Sequence, residues 1–369
     1  LQRRRQRQMC IRDRSRGFRC NNSDSNDIVK ESWQYAAGSL LRWGFARLMP
    51  MRVAVIGVNG IGKHHAKWYH LAGAEVVAFL GSSKESCVTG AEALRAIFPF
   101  NGRPYSDFDA LLKRERPDIV DICLPNELHF ACAKKALENG SHVLCEKPLV
   151  WDEHADIEEL ARKARELVDI AHTRDLHLGM CGQYAASLPH YERVHERGRG
   201  PVEPLRSFYV EMETLARGRH RSPEEIWIDM GPHPLSLLLA WMPNGSVCIE
   251  TLEVSLVGQE VRACFDFQIR DPVRICQCEM VVRDVHQGKP IRRFGINEFV
   301  VDCEGKVDET GAYRCVLSSE EIEDVGEDFM SLLIAQFMSC VRTPAFAPLV
   351  SGEIGARNLD LQLQILQHI

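Results

Sequence analysis

The sequence predicts an α/β protein in which a doubly wound parallel sheet is followed by a second, α+β domain with a larger sheet of its own. Three observations lead there. From Met51 onward, short runs of Val, Ile and Leu alternate with helical stretches at the spacing of parallel βαβ units. A glycine-rich turn closes the first of those runs, where such a fold passes from strand to helix. After about residue 172 the pattern changes to longer segments in which apolar and polar residues alternate.

The chain has 369 residues, 45% of them hydrophobic, enough for one large core or two ordinary ones, which excludes a disordered or collagen-like protein. The longest apolar stretch, residues 235–242, is too short to cross a bilayer, so no membrane is expected as a partner. The 14 cysteines are scattered; the one close pair, Cys276 and Cys278, sits in an alternating strand rather than a C-x-x-C knuckle. Reduced thiols in a cytoplasmic protein without a metal site are the expectation. The first 50 residues carry 11 basic and 4 acidic side chains, whereas residues 51–369 have a net charge of −13. The run from Met9 to Arg14 resembles the translated read-through of a sequencing adapter. Residues 1–50 are therefore read as a non-native or disordered leader, adapter-like over 1–14, with a nucleic-acid arm and a transit peptide as the alternatives. Met51 is the expected natural start, because a strand begins directly after it. The acidic body offers no basic patch to nucleic acid.

Residues 52–56 read as the first buried strand, residues 57–62 as a tight turn, and residues 63–72 as the helix that follows. A second strand is expected at 75–80, further strands at 119–124 and 142–145, and a helix at 127–138 stopped by Gly140. The turn Gly57-Val58-Asn59-Gly60-Ile61-Gly62 stands where a dinucleotide pyrophosphate rests on backbone N–H groups at a helix N-terminus. The usual fingerprint is G-x-G-x-x-G; Asn59 replaces the middle glycine, and asparagine reaches left-handed backbone angles more easily than other residues with a Cβ. After the second strand come Ser82, Ser83 and Lys84 in place of a carboxylate. Hydroxyls and a cation suit a 2'-phosphate, so NADP is favoured over NAD.

Three further motifs follow in order: Leu124-Pro125-Asn126 with His129, then Glu146-Lys147-Pro148, then Asp229-Met230-Gly231-Pro232-His233. With the glycine turn upstream, this set resembles the Gfo/Idh/MocA oxidoreductases, the family of glucose-fructose oxidoreductase and inositol 2-dehydrogenase. The resemblance covers nearly all of 51–369. It implies a Rossmann dinucleotide-binding domain at 51–172 and a substrate-binding and oligomerisation domain at 173–369, with a large, open, mostly antiparallel sheet and a homodimeric or homotetrameric assembly. It also implies that Gly57, Asn59, Gly60, Ile61, Gly62, Ser82, Ser83, Lys84, Leu124, Pro125, Asn126, His129, Glu146 and Lys147 hold the coenzyme, and that the peptide between Glu146 and Lys147 can be cis.

The physical argument for the reaction stands beside the resemblance. Strands of an open parallel sheet deliver their following residues to one crevice, which brings Lys147 to the nicotinamide. Asp229 and His233, four residues apart at the start of an apolar helix, are expected on one face. His233 is assigned as acid/base, Lys147 as the electrostatic stabiliser of a developing alkoxide, and Asp229 as orienter or hydroxyl acceptor. Two departures from the family pattern bear on the substrate: Ser236 stands where relatives often have an aspartate, and Ala185 and Ala186 stand where many have an arginine before the counterpart of Pro189. Gln183 and Tyr184 are the remaining substrate candidates.

In the second domain strands are expected at 206–213, 252–257, 261–269, 274–283, 299–303 and 313–316, and an amphipathic helix at 328–341. The last residues lie in an apolar-periodic segment without a cap, so a truncated C-terminus is expected. The leading function is an NAD(P)-dependent oxidoreductase acting on a carbonyl or alcohol of a sugar, cyclitol or related small molecule. An imine or biliverdin-type reductase, and a catalytically silent nucleotide-sensing regulator, are the alternatives.

Overall fold

The computed structural model describes residues 50–369 except residues 271, 272, 310 and 321. The leader expected over 1–50 lies, but for Pro50, outside the described residues. The first layer is built by β1 (Arg52–Ile56), α1 (Gly62–Leu71), β2 (Glu75–Leu80), α2 (Lys84–Arg95), β3 (Arg103–Tyr105), α3 (Phe108–Glu115), β4 (Ile119–Ile122), α4 (His129–Glu138), β5 (His142–Cys145), α5 (Ile157–Thr173) and β6 (Leu178–Met180). The strands lie in the order β3-β2-β1-β4-β5-β6, and all are parallel. Between β1 and β4 the winding reverses, and that switch point opens the crevice in which such sheets bind ligands. Val53, Ala54, Val55, Ile119, Val120 and Val143 are wholly buried, as helices on both faces require. Side chains start the helices: Asp107 accepts from the Ala110 N–H, and Asp156 from that of Glu159.

The second layer continues through α6 (Leu188–Arg199), β7 (Ser207–Leu215), α7 (Pro223–Met230), α8 (Pro232–Trp241), β8 (Ser246–Val247), β9 (Glu253–Val257), β10 (Glu260–Arg270), β11 (Val273–Val285), β12 (Arg292–Ile296), β13 (Phe299–Val307), β14 (Tyr313–Ser319), β15 (Ile322–Glu327), α9 (Phe329–Arg342) and α10 (Gly352–Leu366). Eight of these strands run β15-β14-β13-β12-β7-β11-β10-β8, with β9 added on β10. Every pairing is antiparallel except that of β7 with β11. The sheet is the large, mostly antiparallel one expected. Sequence reading passed over β12 and β15: the first is short and interrupted by Gly295, the second is half acidic.

The expected division at 172/173 does not coincide with the edge of the parallel sheet. β6 comes after it and pairs with β5, and Met180 donates its N–H to the carbonyl of Val350 just before α10. Ala356, Leu359 and Leu363 of α10 join the core under the parallel sheet. The three-residue strand Leu-Gly-Met is too short for its period to announce it. No helix among the described residues is long and apolar enough to cross a membrane.

Candidate active site

The glycine turn follows β1 directly. Gly57 has φ 91°, and a Cβ there would stand 2.6 Å from the carbonyl oxygen of Cys123. A Cβ on Gly62 would stand 2.0 Å from the carbonyl oxygen of Gly57, so only glycine lets α1 begin this close to the sheet. Gly60 meets nothing within 4 Å, and α1 starts with neither a side-chain cap nor an acidic residue in its first turn. A helix N-terminus left free in this way suits an anionic pyrophosphate. The left-handed geometry argued for Asn59 is not adopted: in this turn Gly57 alone has positive φ, and Asn59 is exposed with φ negative. The sharp reversal happens one residue after the strand, so position 59 needs no special backbone. At the end of β2, Ser83 caps α2 reciprocally with Ser86, while Ser82 and Lys84 are exposed beside it.

Leu124, Pro125 and Asn126 follow β4 at the crevice, but His129 does not face it. Its ring is fully buried, with Nδ1 2.8 Å from the Pro148 carbonyl oxygen and Nε2 2.9 Å from that of Leu124. His129 therefore braces the loop after β4 against the loop after β5. The cis peptide lies one residue beyond the place expected, between Lys147 and Pro148, where the tertiary amide of proline weakens the preference for trans.

Lys147 reaches across to the second layer. Its Nζ donates to the backbone carbonyl of Asp229 at 2.9 Å and to Oδ1 at 2.5 Å. The other carboxylate oxygen accepts from Arg221 at 2.7 Å, and Arg221 is anchored by two bonds, 2.8 and 2.5 Å, to the fully buried carboxylate of Asp284 on β11. Burial works against the charge on Asp229, but Lys147 and Arg221 outweigh it and hold its carboxyl well below the usual range. Arg221 and Asp284 escaped the sequence reading because neither sits in a motif.

Asp229 and His233 do not share one helix. α7 ends at Met230 and α8 begins at Pro232, because neither Pro232 nor Pro234 has an N–H to continue the ladder. Gly231 nevertheless keeps helical angles, φ −54° and ψ −35°, so the two side chains stay on neighbouring turns. α10 braces the break: Gln362 donates to the Ile228 carbonyl, which Pro232 leaves without its helical donor, and Asn358 donates to the Pro232 carbonyl and to the Ser236 hydroxyl. Ser236 is thus a buried structural residue. His233 packs edge-on against Tyr184, ring centres 5.3 Å apart, and its Nδ1 is buried without a hydrogen-bond partner among the described residues. Burial, then the charge of Lys147, pushes its pKa down to about 3, so the imidazole is neutral. Gln183 is half-buried on the same short 3-10 turn as Tyr184, whose phenol is pushed up by burial.

Glu146 turns away from the crevice to an unforeseen buried cluster. His65 on α1 has Nδ1 3.0 Å from Asp121 and Nε2 3.3 Å from Glu146, with the Cys123 thiol 3.4 Å from Nδ1. Burial opposes a charge on His65, but Asp121 and then Glu146 outweigh it and raise its pKa to about 10. Burial likewise opposes the charge on Glu146, and His65 followed by Lys147 holds it at about 2. An imidazolium clamped between two carboxylates thus sits behind Lys147. Asp121, a carboxylate amid the apolar run of β4, was the one signal in the sequence that could have revealed it.

Residues 51–173 match the model of an oxidoreductase family with an NAD-binding Rossmann fold. The chain is 30% identical over 211 residues to UDP-N-acetylglucosamine 3-dehydrogenase of Acidithiobacillus ferrooxidans, covering 57% of this chain and 60% of that protein. It is 38% identical over 124 residues to D-glucoside 3-dehydrogenase of Escherichia coli, covering 33% of this chain and 32% of that one. The matched stretches thus span less than two thirds of these relatives. Among solved structures, the Acidithiobacillus enzyme superposes with a TM-score of 0.65 at 22% identity over 87% of this chain and 98% of its own. A 3-ketoreductase from Actinomadura kijaniata, in complex with NADP and TDP-benzene, superposes at 0.61 and 18% identity, over 87% and 97%. The family model and these relatives thus liken residues 51–173 to the NAD-binding Rossmann domain of the Gfo/Idh/MocA oxidoreductases.

Proposed function

We propose that the protein is an NAD(P)-dependent oxidoreductase that interconverts an alcohol and a carbonyl on a sugar, cyclitol or related ring. The observation that carries this reading is the meeting of Lys147 and Asp229, 82 residues apart in the chain, at 2.5 Å beside the dinucleotide crevice, with His233 on the next turn. The relatives named for dehydrogenation at position 3 of a glucoside and of UDP-N-acetylglucosamine favour a ring hydroxyl of a hexose as the reacting group.

A bound nicotinamide supplies or accepts the hydride. The chain manages position and proton. Lys147 stabilises negative charge on the substrate oxygen, and Asp229, fixed by Arg221, orients the lysine. His233, half-buried and neutral, takes the hydroxyl proton in oxidation from an alcohol made more acidic by the neighbouring ammonium. Gly57, Gly62 and the uncapped start of α1 take the pyrophosphate. Ser82 and Lys84 favour a 2'-phosphate and hence NADP over NAD, with Ser83 chiefly engaged in its cap. Exposed Val257, Val273 and Ile275 on the large sheet support a homo-oligomer in which that sheet is covered.

The test is a panel of hexoses, hexosides and cyclitols assayed in both directions with NAD and NADP on the full chain. Coenzyme-dependent turnover of a ring alcohol is the expected result. Turnover of none of them, or of imines alone, overturns the reading.

A further inference from the structure

The pocket contains one cation for which the roles above have no use. Arg292 opens β12, opposite Met212 of β7. Alternation places it on the same face of the sheet as Phe294 and Ile296. Phe294, two residues on, is buried against Tyr184 with ring centres 6.3 Å apart. The face carrying Arg292 is therefore the one turned to Tyr184 and His233, and its charge is felt by both of those side chains.

What sets Arg292 apart is its lack of a counter-ion. Among the described residues, no carboxylate lies within 4.0 Å of its guanidinium, whose hydrogen bond runs to the backbone carbonyl of Ile291 at 2.8 Å. Three other arginines of this layer are matched. Arg221 pairs with Asp229 and Asp284, Arg283 with Glu211, Glu213 and Glu260, and Arg293, on the opposite face of β12, with Glu211 and Asp302. Lys147 is likewise matched by Asp229. A guanidinium offers five donors in a fixed fork suited to two-point binding of a carboxylate or phosphate, and here its neighbours are the Ile291 carbonyl and the Tyr184 hydroxyl, neither of which carries a countercharge.

We propose that Arg292 anchors an anionic group of the substrate, so that the ring presented to Lys147 and His233 belongs to a sugar bearing a carboxylate or a phosphate rather than to a neutral sugar. The proposal rests on the reading of the site as a sugar oxidoreductase and narrows its substrate class. It also answers the absence of the arginine expected near Pro189: position 292, on a strand that the sequence pattern does not announce, supplies a cation from the other side of the pocket.

The test uses the full chain loaded with coenzyme and three sugars sharing one ring: methyl α-D-glucopyranoside, D-glucuronate and α-D-glucose 1-phosphate. Calorimetry reads the Kd and steady-state assays read KM and kcat, for the wild type, Arg292→Gln and Arg292→Lys. The wild type is expected to bind one of the anionic sugars about ten- to a hundredfold tighter than the neutral one, the range of a charge-assisted hydrogen bond. In Arg292→Gln that ratio falls to within about threefold of unity, and Arg292→Lys, with a charge but no fork, retains part of it. The carboxylate and phosphate arms show which anion the site takes. Equal binding of all three sugars by the wild type, or a preference that survives Arg292→Gln, overturns the proposal. Arg292-dependent anion binding without turnover would sink the oxidoreductase reading and leave the anchor standing; turnover of the neutral sugar with no anion preference does the reverse. Should Arg292→Gln fail to fold, an undiminished anionic preference in Arg292→Lys refutes the two-point contact.

Discussion

Replacing Arg221 with glutamine separates what the charge chain Lys147–Asp229–Arg221–Asp284 does for stability from what it does for catalysis. Asp284 is fully buried, and Arg221 is its ion-pair partner at 2.8 and 2.5 Å. Removing one partner of a buried pair leaves an uncompensated charge, at a cost of about 3–5 kcal/mol. For a chain of this size about 2 °C of melting temperature is lost per kcal/mol, so Arg221→Gln should melt roughly 6–10 °C lower. Asp229 loses the bond on Oδ2 and keeps Lys147 on Oδ1. A drift of that carboxylate by about 1 Å carries Lys147 with it and lowers kcat by up to about a hundredfold. The assay is melting temperature together with kcat and KM for Arg221→Gln, Asp284→Asn and the double variant. In the double variant no orphan charge remains, so most of the stability should return while kcat stays depressed. A double variant with wild-type kcat, or an Arg221→Gln protein that melts with the wild type, refutes the reasoning.

Lys147→Ala should abolish turnover while coenzyme binding, followed by fluorescence titration, survives; undiminished rates would remove the lysine from the mechanism. His233, with a pKa of about 3 against 6.5 when unfolded, should remain neutral across the working range. The oxidative kcat/KM should then show no acid limb between pH 5 and 7, and a limb near 6.5 that disappears in His233→Asn contradicts the neutral assignment. His65 has its pKa raised to about 10, so its contribution to stability is full below pH 6.5 and fades as pH rises towards 10. Glu146, lowered to about 2, contributes fully above pH 4.5 and loses that contribution as pH falls towards 2. Denaturation midpoints measured against pH should therefore lose their decline between 6.5 and 10 in His65→Gln, and an unchanged profile counts against the clamped imidazolium. Gly62→Ala places a methyl 2.0 Å from the Gly57 carbonyl oxygen, so the turn must open and coenzyme affinity should drop at least tenfold; near-normal binding in the same titration argues against the pyrophosphate seat.

The parallel sheet was legible because its cause is local. Buried strands such as β1 and β5 are written as unbroken apolar runs, and Gly57 and Gly62 occur where steric limits admit no other residue. The loops after β1, β4 and β5 were legible for the same reason, since parallel strands send them to one edge. Reading failed where two distant segments share a task. His129 looked like a coenzyme ligand because a motif shows spacing and not direction, and its ring turned inward to the carbonyls of Leu124 and Pro148. The single helix expected for Asp229 and His233 was broken by Pro232 and Pro234, and Gln362, more than 120 residues away, donates to the Ile228 carbonyl that Pro232 leaves without its helical donor.

From its own letters, then, the chain determined the two kinds of sheet, the glycine turn and the identity of the lysine, carboxylate and imidazole near the crevice, because periodicity and backbone sterics act over a few residues. Tertiary structure alone decided which charges meet. It put Asp284 of β11 behind Arg221, Asp121 of β4 against His65, and Arg292 of β12 near Tyr184 with no carboxylate of the described residues beside it. Electrostatic partners are chosen through space, across strands that pair in an order the sequence does not spell out.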